Sequence, residues 1–398
     1  METTVVGLNL SDVVTGHPPA LVSSRTTHLG LRFAEIAERS PRQIAIQSTP
    51  RRVTYAEVLT AACSVRDRLR SDSRFEIAAR VALLLPNSLE YIASFYGVLL
   101  AGGIVVPLSP DIESGRLETI LESTAATHLL TAPSVIARRS GFRGQLIQPF
   151  RPSEPSGIPI NAPSVASEPE LAELAAIFFT AGSSGTPKGV MLTHRNLISN
   201  ALAIQQYQRL TAAERPLCML PFYHAFGNSV LQSHLLTGAR VVLDGNPLFP
   251  ESIVTALQQH EATSLSGVPD LLRFVLDRTS LGRTPLPSLR YMAVAGGALS
   301  VAQCQQLAGR IAPAELFVMY GQTEATARLS YLPPERLTSH TGSIGRGLPG
   351  VELQIVDEYG RVLPPGETGE LRARGPNVMQ GYWRDPDGTR EVLRNGWL

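Results

Sequence analysis

Short apolar runs alternate with helix-spaced stretches along most of this 398-residue chain, and that rhythm leaves few folds open. Thr54–Leu69 carries apolar residues at helical spacing, Arg80–Leu85 is an apolar run stopped by Pro86, Ser88–Ala101 is helical with glycines after it, and Ile104–Pro107 is a buried strand. A β-α-β-α order favours a parallel sheet with helices on both faces, because a parallel neighbour is reached only by a crossover about as long as a helix. The pattern fills Thr27 to Val135 and returns between Leu174 and Leu332, with strands expected at Ala175–Thr180, Arg240–Leu243, Tyr291–Val294 and Glu315–Met319. Between the two, Phe142–Glu170 contains Pro149, Pro152, Pro155, Pro159, Pro163 and Pro169 and reads as a surface connection. After Pro333 the texture changes to short β runs such as Glu352–Val356 and Gly369–Ala373. The expected class is α/β: two stacked, mostly parallel α/β sheet subdomains (residues 20–150 and 171–332) and a small β-barrel-like subdomain (333–398).

Charge and composition narrow the function. With 35 basic and 34 acidic residues the net charge is +1, so the basic footprint of a nucleic-acid binder is missing. Hydrophobic residues at 43% and charged residues at 17% describe a globular chain with a large core. Cys63, Cys218 and Cys304 are odd in number and far apart, which suits reduced core thiols. No apolar stretch is long enough for a membrane span, and the N-terminus lacks a signal-peptide pattern, so the expected location is the cytoplasm. One lysine, Lys188, stands among 34 arginines. An ammonium on a slim stem reaches where a planar guanidinium does not fit, which marks its surroundings for attention.

Those surroundings are Phe178-Phe179-Thr180-Ala181-Gly182-Ser183-Ser184-Gly185-Thr186-Pro187-Lys188-Gly189-Val190. Glycines let the backbone approach a ligand, the hydroxyls of Thr180, Ser183, Ser184 and Thr186 supply donors, and Lys188 complements phosphate charge. A Walker loop would have Gly-Lys-Ser/Thr opening a helix, whereas Val190-Met191-Leu192 continues as a strand and Thr193 caps the next helix.

The segment resembles the phosphate-loop signature of the adenylate-forming superfamily of acyl-CoA synthetases, aryl-CoA ligases, luciferases and peptide-synthetase adenylation domains. Ala181 departs from it, standing where the family usually has serine. Further blocks follow in the family's order and cover most of the chain. Pro221-Phe222-Tyr223-His224-Ala225-Phe226-Gly227 is similar to the Pro-x-x-His-x-x-Gly block at the acyl pocket. This implies His224 beside the reacting carboxylate, and Phe222, Tyr223, Phe226, Gly227, Asn228, Gly267, Val268, Ala295 and Gly296 around the acyl group. Gly227 and Asn228 lie where peptide-synthetase relatives place an aspartate for an α-amino group, which disfavours a standard amino acid. Ala295-Gly296-Gly297-Ala298 is a small-residue turn at a strand end, implied to lie against adenine and the acyl-pocket wall. Met319-Tyr320-Gly321-Gln322-Thr323-Glu324-Ala325 is similar to the Tyr-Gly-x-Thr-Glu block, implying Tyr320, Gly321 and Gln322 around the nucleotide, Thr323 at the α-phosphate and Glu324 on Mg²⁺. The glycine-rich segment 342–350, Gly369-Glu370-Leu371, Gly375-Pro376 and Met379-Gln380-Gly381-Tyr382-Trp383 resemble later structural blocks and bear mainly on fold.

The implied reaction is ATP-dependent conversion of a carboxylic acid to its acyl-AMP with release of pyrophosphate, then thioester formation on CoA or on the phosphopantetheine of an acyl carrier protein. Catalysis of that class is chiefly positioning and charge neutralisation. A fatty, alicyclic or aromatic acid is the first expectation. The resemblance also implies a mobile C-terminal domain bearing a second lysine; both are expected to be absent, and with them full-rate turnover. Two other classes stay open at this point, a P-loop phosphohydrolase and a non-catalytic nucleotide-binding or scaffold protein, as does the oligomeric state.

Overall fold

The computed structural model describes residues 26–132, 145–147, 173–180 and 187–398. The first stretch runs α1 (Leu29–Arg39), β1 (Ile44–Ser48), β2 (Arg51–Thr54), α2 (Tyr55–Arg70), β3 (Arg80–Leu84), α3 (Leu89–Ala101), β4 (Ile104–Leu108), α4 (Ser114–Thr124), β5 (His128–Thr131) and β6 (Gln145–Ile147). The second runs β7 (Leu174–Thr180), β8 (Lys188–Thr193), α5 (His194–Tyr207), β9 (Pro216–Leu217), α6 (Ala225–Leu235), β10 (Val241–Val242), α7 (Glu251–Gln259), β11 (Ser264–Gly267), α8 (Pro269–Arg278), β12 (Tyr291–Val294), α9 (Val301–Ile311), β13 (Glu315–Tyr320) and β14 (Ser330–Leu332). Four short strands and a helix complete it: β15 (Arg346–Gly347), β16 (Glu352–Val356), β17 (Glu370–Arg374), β18 (Gly381–Tyr382) and α10 (Pro386–Val392).

Helix starts follow capping chemistry. Thr54 and Glu57 form a reciprocal capping box at α2, Thr193 and Asn196 form another at α5, and Gly102 at φ 88° closes α3 in the left-handed region. Two sheets result. A seven-stranded sheet has the order β18-β8-β7-β4-β3-β5-β6, parallel from β7 to β6 and antiparallel at β7–β8 and β8–β18. A nine-stranded sheet has the order β15-β14-β13-β12-β11-β9-β10-β1-β2, parallel in its centre with antiparallel edges. Sheet membership does not follow chain order: β1 and β2 join the nine-stranded sheet beside β10, while β7 and β8 complete the seven-stranded one.

The part after Pro333 corrects one expectation, because among the described residues no barrel closes. Closure needs enough staggered strands to wrap round. Here β15 pairs with β14 and β18 pairs with β8, so these two are taken up by existing sheet edges, while β16 and β17 form a separate two-stranded sheet. Within the expected surface connection Phe142–Glu170, residues 145–147 form edge strand β6 against β5, and the remainder lies outside the described residues.

Strand alternation assigns each face to a core. In β3, Val81 and Leu83 join the large cluster with α2 and α3, while Ala82 and Leu84 pack with Leu117, Ile120 and Leu121 of α4. In β12, Met292 and Val294 pack with α8 and α9, while Tyr291 and Ala293 meet Ile204 and Tyr207 of α5. Cys63, Cys218 and Cys304 are all buried free thiols, and among the described residues no helix is long and apolar enough to cross a membrane. Helix α3 is buried over nearly its whole surface, and α2 approaches it at Gly97, where a Cβ would meet Ala62 O and Val65 Cβ, each at 2.6 Å. We therefore expect Gly97→Val to lower the unfolding free energy by about 1–3 kcal/mol through overpacking; an unchanged urea midpoint would contradict this contact.

Candidate functional site

Three segments distant in sequence meet at the start of β8. Thr180 is in register with Lys188, so β7 and β8 close on each other directly at the ends of the loop between them. That loop, with Gly182, Ser183, Ser184, Gly185 and Thr186, lies outside the described residues. On the other edge of β8, β18 pairs antiparallel with Tyr382 opposite Val190, and Trp383 N donates to Gly189 O at 2.7 Å. A larger residue at Gly189 would be tightly crowded, since a Cβ would meet Ile177 Cγ2 at 3.0 Å, Phe179 Cζ at 3.1 Å and Trp383 Cβ at 3.2 Å.

The pairing puts one tyrosine between two opposite charges. Lys188 Nζ lies 4.8 Å from the centroid of the Tyr382 ring, and the Tyr382 hydroxyl donates to Glu324 Oε1 at 2.7 Å. Burial, and secondarily the Glu324 carboxylate, push the Tyr382 phenol well above its ordinary pKa, so it stays a donor. Met379 N donates to Glu324 O at 2.7 Å and ties the same turn down through its backbone.

Glu324 and Thr323 stand on a single 3₁₀ turn, Thr323–Ala325, after β13. The turn folds back sharply: Ala327 N donates to Gln322 O at 3.1 Å and Leu329 N to Tyr320 O at 2.9 Å. At Gly321 a Cβ would lie 1.9 Å from Ala327 O, so no other residue fits. Asn377 Nδ2 donates to Ala325 O at 3.0 Å and Arg328 O at 2.9 Å, pinning the fold-back from outside. Tyr320 is half-buried, its phenol pKa raised by burial and then by Glu324.

His224 is the residue before α6, and its ring lies beside Tyr223 with centroids 4.7 Å apart. His224 is exposed, yet the surrounding protein lowers its pKa by desolvation, which favours the neutral ring. The segment is held by Asn87, whose Oδ1 accepts from Phe222 N at 2.8 Å, and by the Tyr91 hydroxyl, which donates to Phe222 O at 2.8 Å. Gly227 is required by the turn, since a Cβ there would meet Pro221 O at 2.1 Å. The side chain of Phe222 is fully buried in the large core against Tyr91. Asn228 faces a small buried cavity with Phe178, Leu192, Asn200 and Thr326.

The remaining positions gather at the C-terminal ends of β11 and β12. Gly267 is in register with Val294; Gly296 at φ 84° comes within 3.3 Å of Val268 Cγ1, and Gly297 within 3.2 Å of Pro269 Cγ, both measured from an ideal Cβ. Gly296, Gly297 and Ala298 are exposed, whereas Ala295 is buried in a cluster with Phe226 and Met319. The candidate set thus divides. Lys188, Glu324 and Tyr382 are in one contact chain, Phe226 and Ala295 share one apolar layer, Gly296 and Gly297 rim the strand ends, and Phe222 and Asn228 face other parts of the core.

Tyr382 was absent from the candidates because its role depends on pairing with a strand almost two hundred positions earlier; its sequence signal was the Gly-Tyr-Trp run. For a metal, Glu324 offers hard carboxylate oxygens. Among the described residues no group of three or more His, Cys, Asp or Glu could hold an ion by itself.

A family model described as AMP-binding enzyme matches residues 33–383. Feruloyl-CoA synthase of an Amycolatopsis species is 31% identical over 386 residues, covering 94% of this chain and 75% of that protein. Long-chain-fatty-acid–CoA ligase of Bacillus subtilis (strain 168) is 28% identical over 412 residues, covering 92% and 72%. The structure of o-succinylbenzoate coenzyme A synthetase from Bacillus subtilis in complex with ATP and magnesium ion superposes with a TM-score of 0.78 at 26% identity, covering 92% of this chain and 75% of that one.

Substitution of Gly321 by alanine is expected to displace the turn bearing Thr323 and Glu324 and to weaken nucleotide binding at least tenfold in calorimetry. Unchanged affinity would show that the turn tolerates the 1.9 Å approach and that its geometry does not matter.

Proposed function

The chain belongs to the AMP-binding enzyme family, and on that premise we propose that it activates a carboxylic acid as its acyl-adenylate and passes the acyl group to a thiol. One carboxylate oxygen attacks the α-phosphorus of ATP in line, the bond to the β-phosphate bridging oxygen breaks, and pyrophosphate leaves. A thiolate then attacks the acyl carbon and AMP departs. The observation that carries this reading is the Lys188–Tyr382–Glu324 arrangement, a cation over one tyrosine ring and a carboxylate on the hydroxyl of the same residue.

In this assignment Lys188, Thr180 and the loop 182–186 bind the β- and γ-phosphates. Their charge neutralisation raises the leaving tendency of pyrophosphate. Thr323 donates to the α-phosphate, and Tyr320, Gly321, Gln322 and the exposed Gly296–Ala298 turn receive the base. Bound Mg²⁺ would offset triphosphate charge, and Glu324 is the residue that would hold it. His224, neutral at physiological pH, orients the incoming carboxylate without carrying a competing charge. Phe226, Gly267, Val268 and Ala295 line the acyl side.

CoA is the acceptor favoured by the names of the relatives, with a carrier-protein phosphopantetheine as the alternative. Three buried, unpaired cysteines accord with a cytoplasmic chain.

We expect ATP, Mg²⁺, CoA and a matched acid, found by screening an aryl and fatty acid panel, to give AMP and pyrophosphate in equal amounts. ADP and orthophosphate as products would replace this reading with a phosphohydrolase. Lys188→Ala should weaken MgATP binding by about 1.5–3 kcal/mol, the range for a charged hydrogen bond, or roughly ten- to a hundredfold in Kd, and calorimetry with unchanged affinity would remove the lysine from the phosphate site.

A further inference from the structure

Arg328 heads the fully buried side chains of the described residues, with none of its surface exposed. Its surroundings are neutral. Nη1 donates to the Tyr207 hydroxyl at 2.7 Å, and the guanidinium lies over the Phe226 ring at 5.3 Å. Nε and Nη2 have no hydrogen-bond partner. Nearby His234 is held neutral by burial, its pKa lowered to about 4, with Arg328 and Arg290 adding to the effect. The buried carboxylate Glu214 is engaged elsewhere, by Arg290 and by the Thr263 hydroxyl. One neutral hydroxyl and one ring face are weak compensation for removing a full charge from water.

The two unpartnered nitrogens are informative together. Nε and Nη2 form one straight edge of the guanidinium, the edge that accepts a carboxylate in two parallel hydrogen bonds. Tyr207 occupies the remaining corner and sets the plane. The location matters as well: Arg328 follows Glu324 by four positions on the same fold-back, and Phe226 beneath it lies two positions after His224 in the first turn of α6. Phe226 belongs to the apolar cluster that includes Ala295 and Met319 at the ends of β12 and β13. An acyl chain running inward from a carboxylate at His224 would pass along Phe226 toward the free edge of Arg328.

We propose that Arg328 is a specificity-determining residue for an acid that carries a second carboxylate, so that the substrate class is a dicarboxylic acid activated at one end and held by Arg328 at the other. The inference rests on the acyl-adenylate reading of the site and narrows its substrate. It accounts for a full charge buried against the ring of Phe226, which packs on the apolar cluster of Ala295 and Met319, where an aliphatic residue would serve a simple fatty or aryl acid.

The test is binding of non-hydrolysable acyl-sulfamoyl adenosines to the full chain, in pairs of equal length ending in a carboxylate or a methyl group, over a series of chain lengths. At the best length the carboxylate member should bind at least tenfold more tightly. Arg328→Met should abolish or reverse that preference while AMP affinity stays unchanged, and Arg328→Lys, which keeps the charge and loses the fork, should fall between. Equal or tighter binding of the methyl member at every length overturns the proposal, as does a preference that survives in Arg328→Met. If the methionine variant does not fold, the wild-type comparison alone decides. Failure of both members to bind more tightly than AMP overturns the acyl-adenylate reading itself, an outcome distinct from loss of the carboxylate preference alone.

Discussion

The pairing of Gly381–Tyr382 with the strand that begins at Lys188 is the interaction on which the site depends. Strand β8 leaves the loop with its cation at the first position. The ring brought in by β18 lies against the ammonium, and its hydroxyl donates to Glu324. Among the described residues Lys188 and Glu324 do not pair directly, so each charge keeps its capacity for a ligand. A direct salt bridge would have stabilised the apo site and competed with phosphate and metal. The tyrosine keeps the charges near each other without letting them neutralise.

Close backbone approach makes the rest of the arrangement possible. At Gly227 and Gly321 a single Cβ would collide with a backbone carbonyl and at Gly189 it would be tightly crowded by side chains, and these glycines lie one to three positions from the candidate residues Lys188, His224 and Thr323. The polar elements therefore sit on tight turns between rigid strands and helices, which suits a reaction governed by position. Phe226, Ala295 and Met319 form an apolar layer, and Arg328 breaks it with a buried guanidinium whose open edge has no protein partner.

Local periodicity was enough to read the elements. The strands at Tyr291–Val294 and Glu352–Val356 fall where expected, α2 differs from its expected range by one residue at each end and α3 by one residue at its start, because their caps and breakers, Thr54, Ser88 and Gly102, are in the sequence itself. Sheet membership was not legible, since β1 joins β10 and β8 joins β18 through hydrogen bonds between positions far apart in the chain. The barrel expected after Pro333 failed for that reason: strands of two to five residues carry no local sign of which edge will take them. The same contrast holds for charge. Lys188 stood out as the one lysine, whereas Arg328 is one of 34 arginines and is set apart only by burial.

The most direct measurement of adenylate formation follows oxygen atoms. With the chain at stoichiometric amounts, ATP, Mg²⁺ and an acid labelled with ¹⁸O in its carboxylate, hydroxylamine is added to intercept the activated acyl group. Attack of the carboxylate on the α-phosphorus predicts one ¹⁸O in the AMP and the other in the hydroxamate. Unlabelled AMP, or label found in orthophosphate, would contradict the account.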